Sequence, residues 1–113
     1  MSVCYVRVAF RAGVRKVRAE VLNRLFAIHP YVTSDPGDAP NGMWTVSHRN
    51  TGWRVVTVAR KSDGRTVAHL VQRVAKAHGL TFDISDPYEP RSWPKAARKA
   101  IQRAVSFYDT GAL

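Results

Sequence analysis

Apolar and polar residues alternate from Val3 to Phe10, and this period of two predicts a half-buried β-strand. One side of the strand carries Val6, Val8 and Phe10, and the other side carries Tyr5, Arg7 and Ala9. After Gly13, apolar residues recur at spacings of three and four, which predicts an amphipathic helix over residues 14–28. We expect that helix to end at His29-Pro30, because the residue before a proline is disfavoured in the α region.

A long loop and a β-hairpin are predicted next. Residues 30–42 contain three prolines and two glycines, a composition that favours a loop. Two β-rich runs, over residues 43–49 and 53–60, flank the turn sequence Asn50-Thr51-Gly52. This arrangement predicts two antiparallel strands joined by a short turn.

Two helical patterns and one further alternating run complete the chain. Helical spacing over residues 67–77 predicts a helix, with Thr66 as its expected N-cap. Residues 80–85 alternate again and predict a strand. After a proline-bounded loop over residues 86–91, a third helix is expected over residues 93–109.

The predicted order is therefore β-α-β-β-α-β followed by an additional C-terminal helix. That order is typical of the ferredoxin-like fold, an α+β architecture. It predicts a single domain over residues 1–113, with a four-stranded antiparallel sheet and two helices on one sheet face. The other sheet face would be open to a ligand or a partner, unless the third helix covers it.

Composition narrows the class of protein. The chain has 113 residues, 18 Lys+Arg against 8 Asp+Glu, and a formal net charge of +10. Its hydrophobic content of 45% is too high for a disordered basic tail. Its single cysteine, Cys4, has no internal disulfide partner, and we find no export signal or membrane-spanning run. We expect a cytoplasmic protein with no metal or other cofactor, because the four histidines lack metal-ligand spacing.

The positive charge is concentrated on the periodic segments, whereas most acids lie in two proline-containing connections. The expected strand-to-helix junction carries Arg11, Arg15, Lys16 and Arg18. The third helix carries Lys95, Arg98, Lys99 and Arg103. Free N–H groups at a helix start, together with nearby bases, form a phosphate-binding arrangement. We expect both groups to contact an anion, although charged faces of this kind also serve solubility alone.

Aromatic residues on two predicted strands suggest a stacking surface. Tyr5 and Gly52-Trp53 match the aromatic positions of the RNA-recognition motif, which this chain loosely resembles. That resemblance implies that Tyr5 and Trp53 stack on unpaired bases. The resemblance covers two strands, and Arg54 and Val55 depart from the motif of the third strand. The alternative is that both aromatics are buried beneath the third helix.

One pattern indicates an enzyme. Ser47-His48 before a β-rich run, with Ala77-His78-Gly79-Leu80 closing a helix, faintly resembles the HicA-type toxins that cleave messenger RNA. The resemblance implies His48 as a general acid or base. The spacing differs from that of the HicA family. The favoured interpretation is that His48 lies beside a turn and has no catalytic role.

Three functions are therefore weighed. The leading expectation is a non-enzymatic module that binds nucleic acid, preferably RNA or a single strand. The second is a phage- or mobile-element-type inhibitor or adaptor that binds an acidic protein surface or a nucleoprotein complex, for example a host defence complex. The third is the HicA-like ribonuclease. The sequence predicts no oligomeric state and no membrane partner.

Overall fold

A computed structural model describes residues 2–10, 13–30, 42–86 and 89–110 of the chain. Five strands come first: β1 Val3–Phe10, β2 Gly13–Val21, β3 Phe26–Pro30, β4 Trp44–His48 and β5 Arg54–Val58. They are followed by helix α1 (Asp63–Ala77), a short 3-10 turn (Glu89–Ser92) and helix α2 (Lys95–Val105). The architecture is α+β, with one antiparallel sheet in the strand order β1-β2-β3-β4-β5.

The first hairpin is much longer than its attachment to the rest of the sheet. Strands β1 and β2 pair from Val3 opposite Glu20 to Phe10 opposite Gly13. Strand β2 then pairs with β3 only through Glu20 and Val21. Residues 13–19 of β2 therefore have β1 on one side and no partner from β3 on the other. We call this hairpin the β1–β2 ribbon.

The predicted helix over residues 14–28 is wrong, because this segment forms β2, a turn and β3. Its valines recur at spacings of three and four, but a β-branched residue also suits a strand. The reversal depends on Asn23, whose side-chain oxygen accepts hydrogen bonds from the backbone N–H groups of Leu25 and Phe26, both at 2.9 Å. An asparagine that satisfies the backbone of a turn in this way competes directly with helix formation.

The ferredoxin-like order is also wrong at the predicted strand over residues 80–85. This segment is irregular, although Phe82 and Ile84 are buried on one side as the alternation indicates. Its carbonyl groups are bound by side chains instead of by a neighbouring strand. His48 donates to the Phe82 oxygen, and Asn50 Nδ2 donates to the Ile84 oxygen at 2.8 Å. The sheet is consequently a five-strand meander, with both helices after it in the sequence.

Several predicted elements are confirmed. Strand β1 has the predicted bounds, and the hairpin around Asn50-Thr51-Gly52 forms as β4 and β5. Helix α1 begins at Asp63, upstream of the predicted cap Thr66. Helix α2 lies inside the predicted range 93–109. The predicted loop over residues 30–42 falls almost wholly outside the described residues.

Both helices pack on the same face of β3, β4 and β5. This main core contains strand residues Phe26, Ile28, Val46, Val56 and Val58, with Val67 and Val71 from α1 and Ile101 and Val105 from α2. Gly64 allows the close approach of α1 to the sheet, because an added Cβ would lie 2.6 Å from the Ile28 side chain. The C-terminal helix thus packs beside α1 and does not cover the opposite sheet face.

A second, smaller core lies on the opposite face of the sheet. It contains Val6 from β1, Ala19 from β2 and Ala27 from β3. The meander also curls, because the β4–β5 turn contacts the backbone of β1: a Cβ added at Gly52 would overlap the Arg7 carbonyl oxygen. The β4–β5 turn and β1, which are far apart in sheet order, are therefore neighbours in space.

Candidate functional site

The outer face of the β1–β2 ribbon carries an exposed cluster of cations and one aromatic ring. Tyr5 lies opposite Arg18, and Arg7 lies opposite Lys16. Cross-strand partners and alternate residues share one face of a ribbon, so these four side chains lie together. All four are exposed, and Tyr5 retains 66% of its accessible surface. We call this surface the basic ribbon face.

The basic ribbon face contains no internal charge compensation. Within the described part of the chain, none of Arg7, Lys16 and Arg18 forms an ion pair. The next residue on the same face of β2 is Glu20, and its carboxylate is paired with Lys61. Like charges directly opposite each other in a sheet are destabilising. An anion bound across this face would relieve that repulsion.

The predicted strand-to-helix anion site exists only in part. Residues 13–21, where the helix was expected to begin, form strand β2, so these described residues do not present the free N–H groups of a helix start. Lys16 and Arg18 share the basic ribbon face, whereas Arg15 lies opposite Val8 on the other face. Arg11 lies outside the described residues. Sequence reasoning placed Arg7 beside Tyr5 but did not count it as a site residue, because its opposition to Lys16 follows only from the register.

The predicted basic residues of the third helix are where the pattern put them. Helix α2 buries Ala97, Ile101 and Val105, and its exposed surface carries Lys95, Arg98, Lys99 and Arg103. Arg98 Nε donates to the Trp93 carbonyl oxygen at 3.2 Å, which fixes the base of its guanidinium. Helix α1 has a comparable exposed row that sequence reasoning missed, namely Arg65, His69, Arg73 and Lys76. Their spacing of three and four was the available indication.

Trp53 belongs to an aromatic cluster next to the helices and not to an open sheet face. Its ring stacks on Phe82, with centroids 5.7 Å apart and an interplanar angle of 18°. Its edge meets Trp93 at 6.4 Å. The exposed remainder of Trp53 lines a small depression of about 150 Å³ together with Arg91, Arg98 and Gln102. Tyr5 lines a different cavity, so the two predicted stacking residues do not form one surface.

The larger cavity has a volume of about 360 Å³ and opens beside the basic ribbon face. Its polar lining comes from Tyr5, Arg24, Arg49, Asn50 and Asp83. Its remaining lining comes from Cys4, Leu25, His48, Phe82 and Ile84. We call it the Tyr5 cavity. Three separate connections meet at its rim, namely the β2–β3 turn, the β4–β5 turn and the segment after α1.

His48, the candidate acid or base, is buried with both ring nitrogens engaged. Its Nδ1 accepts from the Thr51 backbone N–H at 3.3 Å and lies 2.9 Å from the Thr51 hydroxyl. Its Nε2 donates to the Phe82 carbonyl oxygen. Burial lowers the pKa of His48 from its ordinary value of 6.5 and therefore favours the neutral ring. The side chain joins the β4–β5 turn to the segment after α1, and neither nitrogen is available to a substrate.

A second buried histidine forms a pair that the sequence did not indicate. His29 Nε2 lies 3.0 Å from the Ser47 hydroxyl, and its Nδ1 lies 2.9 Å from the Pro30 carbonyl oxygen. A carbonyl only accepts, so Nδ1 carries the proton and Nε2 accepts from Ser47. Serine beside an oriented histidine is the arrangement of an activated nucleophile. Here, however, Ser47 is 1% exposed and His29 is 2% exposed, so the pair is closed to substrate.

Metal-ligating clusters and membrane-spanning helices are both absent from residues 2–10, 13–30, 42–86 and 89–110. No three of their histidine, cysteine and acidic side chains lie close enough together to hold a metal ion. None of their helices combines the length and apolar character needed to span a bilayer. The chain matches no protein-family model, and its sequence and fold match no curated protein and no solved structure.

Proposed function

We propose that this protein is a non-enzymatic nucleic-acid-binding module that prefers RNA or single-stranded nucleic acid. The observation that carries the proposal is the basic ribbon face, where Tyr5, Arg7, Lys16 and Arg18 stand exposed on two neighbouring strands. Single-strand binders combine a cationic surface that follows the backbone with an aromatic ring on which a base stacks. The basic ribbon face supplies both components within two adjacent cross-strand pairs.

The spacing of these side chains suits a polymeric anion. Alternate residues on a strand are about 6.6 Å apart, so Tyr5 and Arg7 reach successive positions along an extended strand. Arginine binds phosphate through a planar fork of donors, whereas lysine acts as a point charge. Arg18 lies opposite Tyr5, and Arg7 and Lys16 form the next cross-strand pair on the same face. The face therefore offers phosphate contacts around one stacking ring.

The exposed bases of α2 support the same proposal as an additional electrostatic surface. Lys95, Arg98, Lys99 and Arg103 carry no ion pair within the described residues. With a net charge of +10, the molecule attracts any polyanion at long range. We assign the specific contacts to the basic ribbon face, because there Tyr5 lies among three cations within two adjacent cross-strand pairs. Helix α2 adds charge next to the exposed Phe107 and to the exposed part of Trp53.

The decisive experiment measures the affinity for a fluorescent single-stranded oligonucleotide over a series of salt concentrations. We expect the logarithm of the affinity to fall linearly with the logarithm of the salt concentration, because bound cations displace counterions. Lys16→Glu should weaken binding by about tenfold or more and reduce the salt slope. Arg60→Glu is the matched control, since Arg60 is exposed but lies outside the basic ribbon face.

Equal losses of affinity in Lys16→Glu and Arg60→Glu would show that overall charge, and not this face, drives binding. An affinity unaffected by salt would contradict the proposal itself. The protein-binding alternative is tested by affinity purification from the native host with and without nuclease. Recovery of a nuclease-resistant protein partner, without nucleic acid in the untreated sample, would replace nucleic-acid binding with an inhibitor or adaptor function.

A further inference from the structure

The Tyr5 cavity has the size and the mixed lining of a ligand site. Its volume of about 360 Å³ lies within the range of about 300–1,000 Å³ that is usual for small-molecule pockets. Tyr5 belongs to both the cavity and the basic ribbon face. A strand bound along the ribbon therefore passes the cavity mouth.

Two arginines at the rim are oriented differently. Arg49 Nη1 donates to the carbonyl oxygens of Asn23 and Arg24, at 3.4 and 3.2 Å, so its guanidinium is held in place by the β2–β3 turn. The Arg24 side chain is 78% exposed and forms an ion pair with Asp83. Two guanidinium groups at one rim suit a phosphate that enters with the ligand.

Asp83 is the unexpected member of this rim. Its carboxylate is 69% exposed and forms a long ion pair with Arg24, whose Nη1 lies 4.0 Å from Asp83 Oδ2, a distance too long for a hydrogen bond. A carboxylate at a polyanion-binding surface costs affinity through repulsion, unless it accepts hydrogen bonds from the ligand itself. The donors that a nucleic acid offers are the N–H groups of its bases and, in RNA, the 2′-hydroxyl, and the exocyclic amino group of cytosine is one that aspartate accepts from.

We propose that the Tyr5 cavity binds one unstacked base bearing an exocyclic amino group, with Tyr5 stacking on the ring and Asp83 accepting from the amino group. Arg24 and Arg49 contact the phosphate of the same nucleotide. Asn50 Nδ2 is already engaged by the Ile84 carbonyl oxygen, which leaves its Oδ1 as a second acceptor near the base edge. This inference rests on the proposed function and adds base selectivity to it.

Oligocytidylate and oligouridylate of equal length provide the matched ligands. Both are pyrimidine strands, but cytosine presents an amino donor where uracil presents a carbonyl acceptor. We expect the wild-type protein to bind oligocytidylate about tenfold more tightly at one fixed salt concentration. Fluorescence anisotropy with labelled strands measures both affinities.

Variants of Asp83 distinguish a hydrogen bond to the base from electrostatic repulsion of the phosphates. If Asp83 only repels phosphate, Asp83→Ala raises the affinity for both strands. In our proposal Asp83→Ala lowers the affinity for oligocytidylate and abolishes the preference, whereas Asp83→Asn retains part of it through the amide oxygen. Glu89→Ala is the matched control, because Glu89 is an exposed acid outside the cavity and its loss should raise both affinities equally.

Equal wild-type affinities for the two strands would overturn the cavity proposal and leave salt-dependent binding at the basic ribbon face intact. An increase for both strands in Asp83→Ala, matching Glu89→Ala, would overturn it in the same way. Absence of binding to either strand by the wild-type protein would instead refute the proposed function. Asp83 is exposed, so these variants should keep the wild-type circular dichroism spectrum, which is recorded alongside.

Discussion

Arg7 and Lys16 lie directly opposite each other in the β1–β2 ribbon, so two positive charges occupy one cross-strand pair. The repulsion of such a pair is unfavourable for the ribbon by a fraction of a kcal/mol up to about 1 kcal/mol. Nothing in the packing of the ribbon requires this arrangement, because both side chains are exposed. The pair therefore represents a local conflict between folding stability and the anion binding that we propose.

That conflict predicts opposite effects of Lys16→Glu on stability and on binding. Replacing the like-charge pair by Arg7 opposite glutamate should raise the free energy of unfolding by about 0.5 kcal/mol. The same variant should bind single-stranded nucleic acid more weakly. Urea unfolding and anisotropy titration measure the two quantities, and Lys16→Gln is the charge-neutral control. A Lys16→Glu variant less stable than Lys16→Gln would contradict the electrostatic account.

Replacing His48 should damage the fold. His48→Ala removes a buried ring and leaves the Phe82 carbonyl oxygen and the Thr51 N–H without their side-chain partner. We expect the free energy of unfolding to fall by about 2–4 kcal/mol, from the combined loss of packing and of buried hydrogen bonds. Chemical denaturation measures this change. The exposed His69 provides the control, since His69→Ala should leave stability nearly unchanged.

The same variant tests the ribonuclease alternative. A protein that cleaves RNA and loses cleavage in His48→Ala, while keeping wild-type stability, would restore a catalytic role for this histidine. The structural role predicts the reverse combination, in which stability falls whether or not any cleavage is present.

The two buried histidines should make stability depend on pH below neutrality. Burial lowers the pKa of both His29 and His48 from 6.5 in the folded protein. The unfolded chain therefore binds protons first as the pH falls. The stabilisation from the neutral rings is complete above pH 6.5 and declines from there toward the lowered folded-state pKa values. The slope has an upper limit of about 1.4 kcal/mol per pH unit for each histidine.

Urea unfolding over a pH series measures this decline. Ser47→Ala is expected to lower stability at every pH, because His29 Nε2 loses its hydroxyl donor. Mutation of the exposed His69 should leave the pH slope unchanged. A wild-type stability that stays constant between pH 7 and pH 5 would contradict the burial of two neutral rings.

Alanine substitutions at Gly52 and Gly79 distinguish the cost of backbone strain from the cost of a steric clash. Both have positive φ, +76° and +71°, but a Cβ at Gly52 meets the Arg7 carbonyl oxygen, whereas nothing lies within 4 Å of one at Gly79. Gly79→Ala should cost about 1–2 kcal/mol through strain alone. Gly52→Ala should cost at least about 2 kcal/mol more, because β1 must move away from the β4–β5 turn. Equal losses in thermal unfolding would show that the turn and β1 are not in contact.

The sequence predicted elements well where one period was unambiguous. The β4–β5 hairpin and both helices follow from local pattern and turn chemistry. The helix predicted over residues 14–28 was wrong because the valines of this segment also satisfy a helical period. The pairing with β1 and the turn at Asn23 belong to the three-dimensional structure and are not part of that pattern. Phe82 and Ile84 were correctly placed on one buried side, but alternation alone does not reveal whether a strand partner or side chains satisfy the backbone.

The candidate site was only partly predictable for a related reason. Lys16 and Arg18 were identifiable from charge, but their neighbours Tyr5 and Arg7 follow from the register of β1 against β2. Asp83 and Arg24 come from connections far apart in the sequence, and only the curled sheet and the segment after α1 bring them to one rim. The net charge favours an anionic partner, whereas the base selectivity that we propose for the Tyr5 cavity depends on an arrangement visible only in three dimensions.

Strand β3 is the shared wall of two hydrophobic cores, with Phe26 and Ile28 toward the helices and Ala27 toward the ribbon. Because this one five-residue strand contributes to both cores, disruption of β3 exposes both of them. The attached end of the β1–β2 ribbon therefore cannot unfold independently. Native-state hydrogen exchange should therefore report one shared opening energy for β3, β4 and the attached end of the ribbon, with faster exchange only toward the ribbon tip. The surface that we propose for nucleic-acid binding would thus lie on a hairpin whose attached end opens only with the rest of the domain.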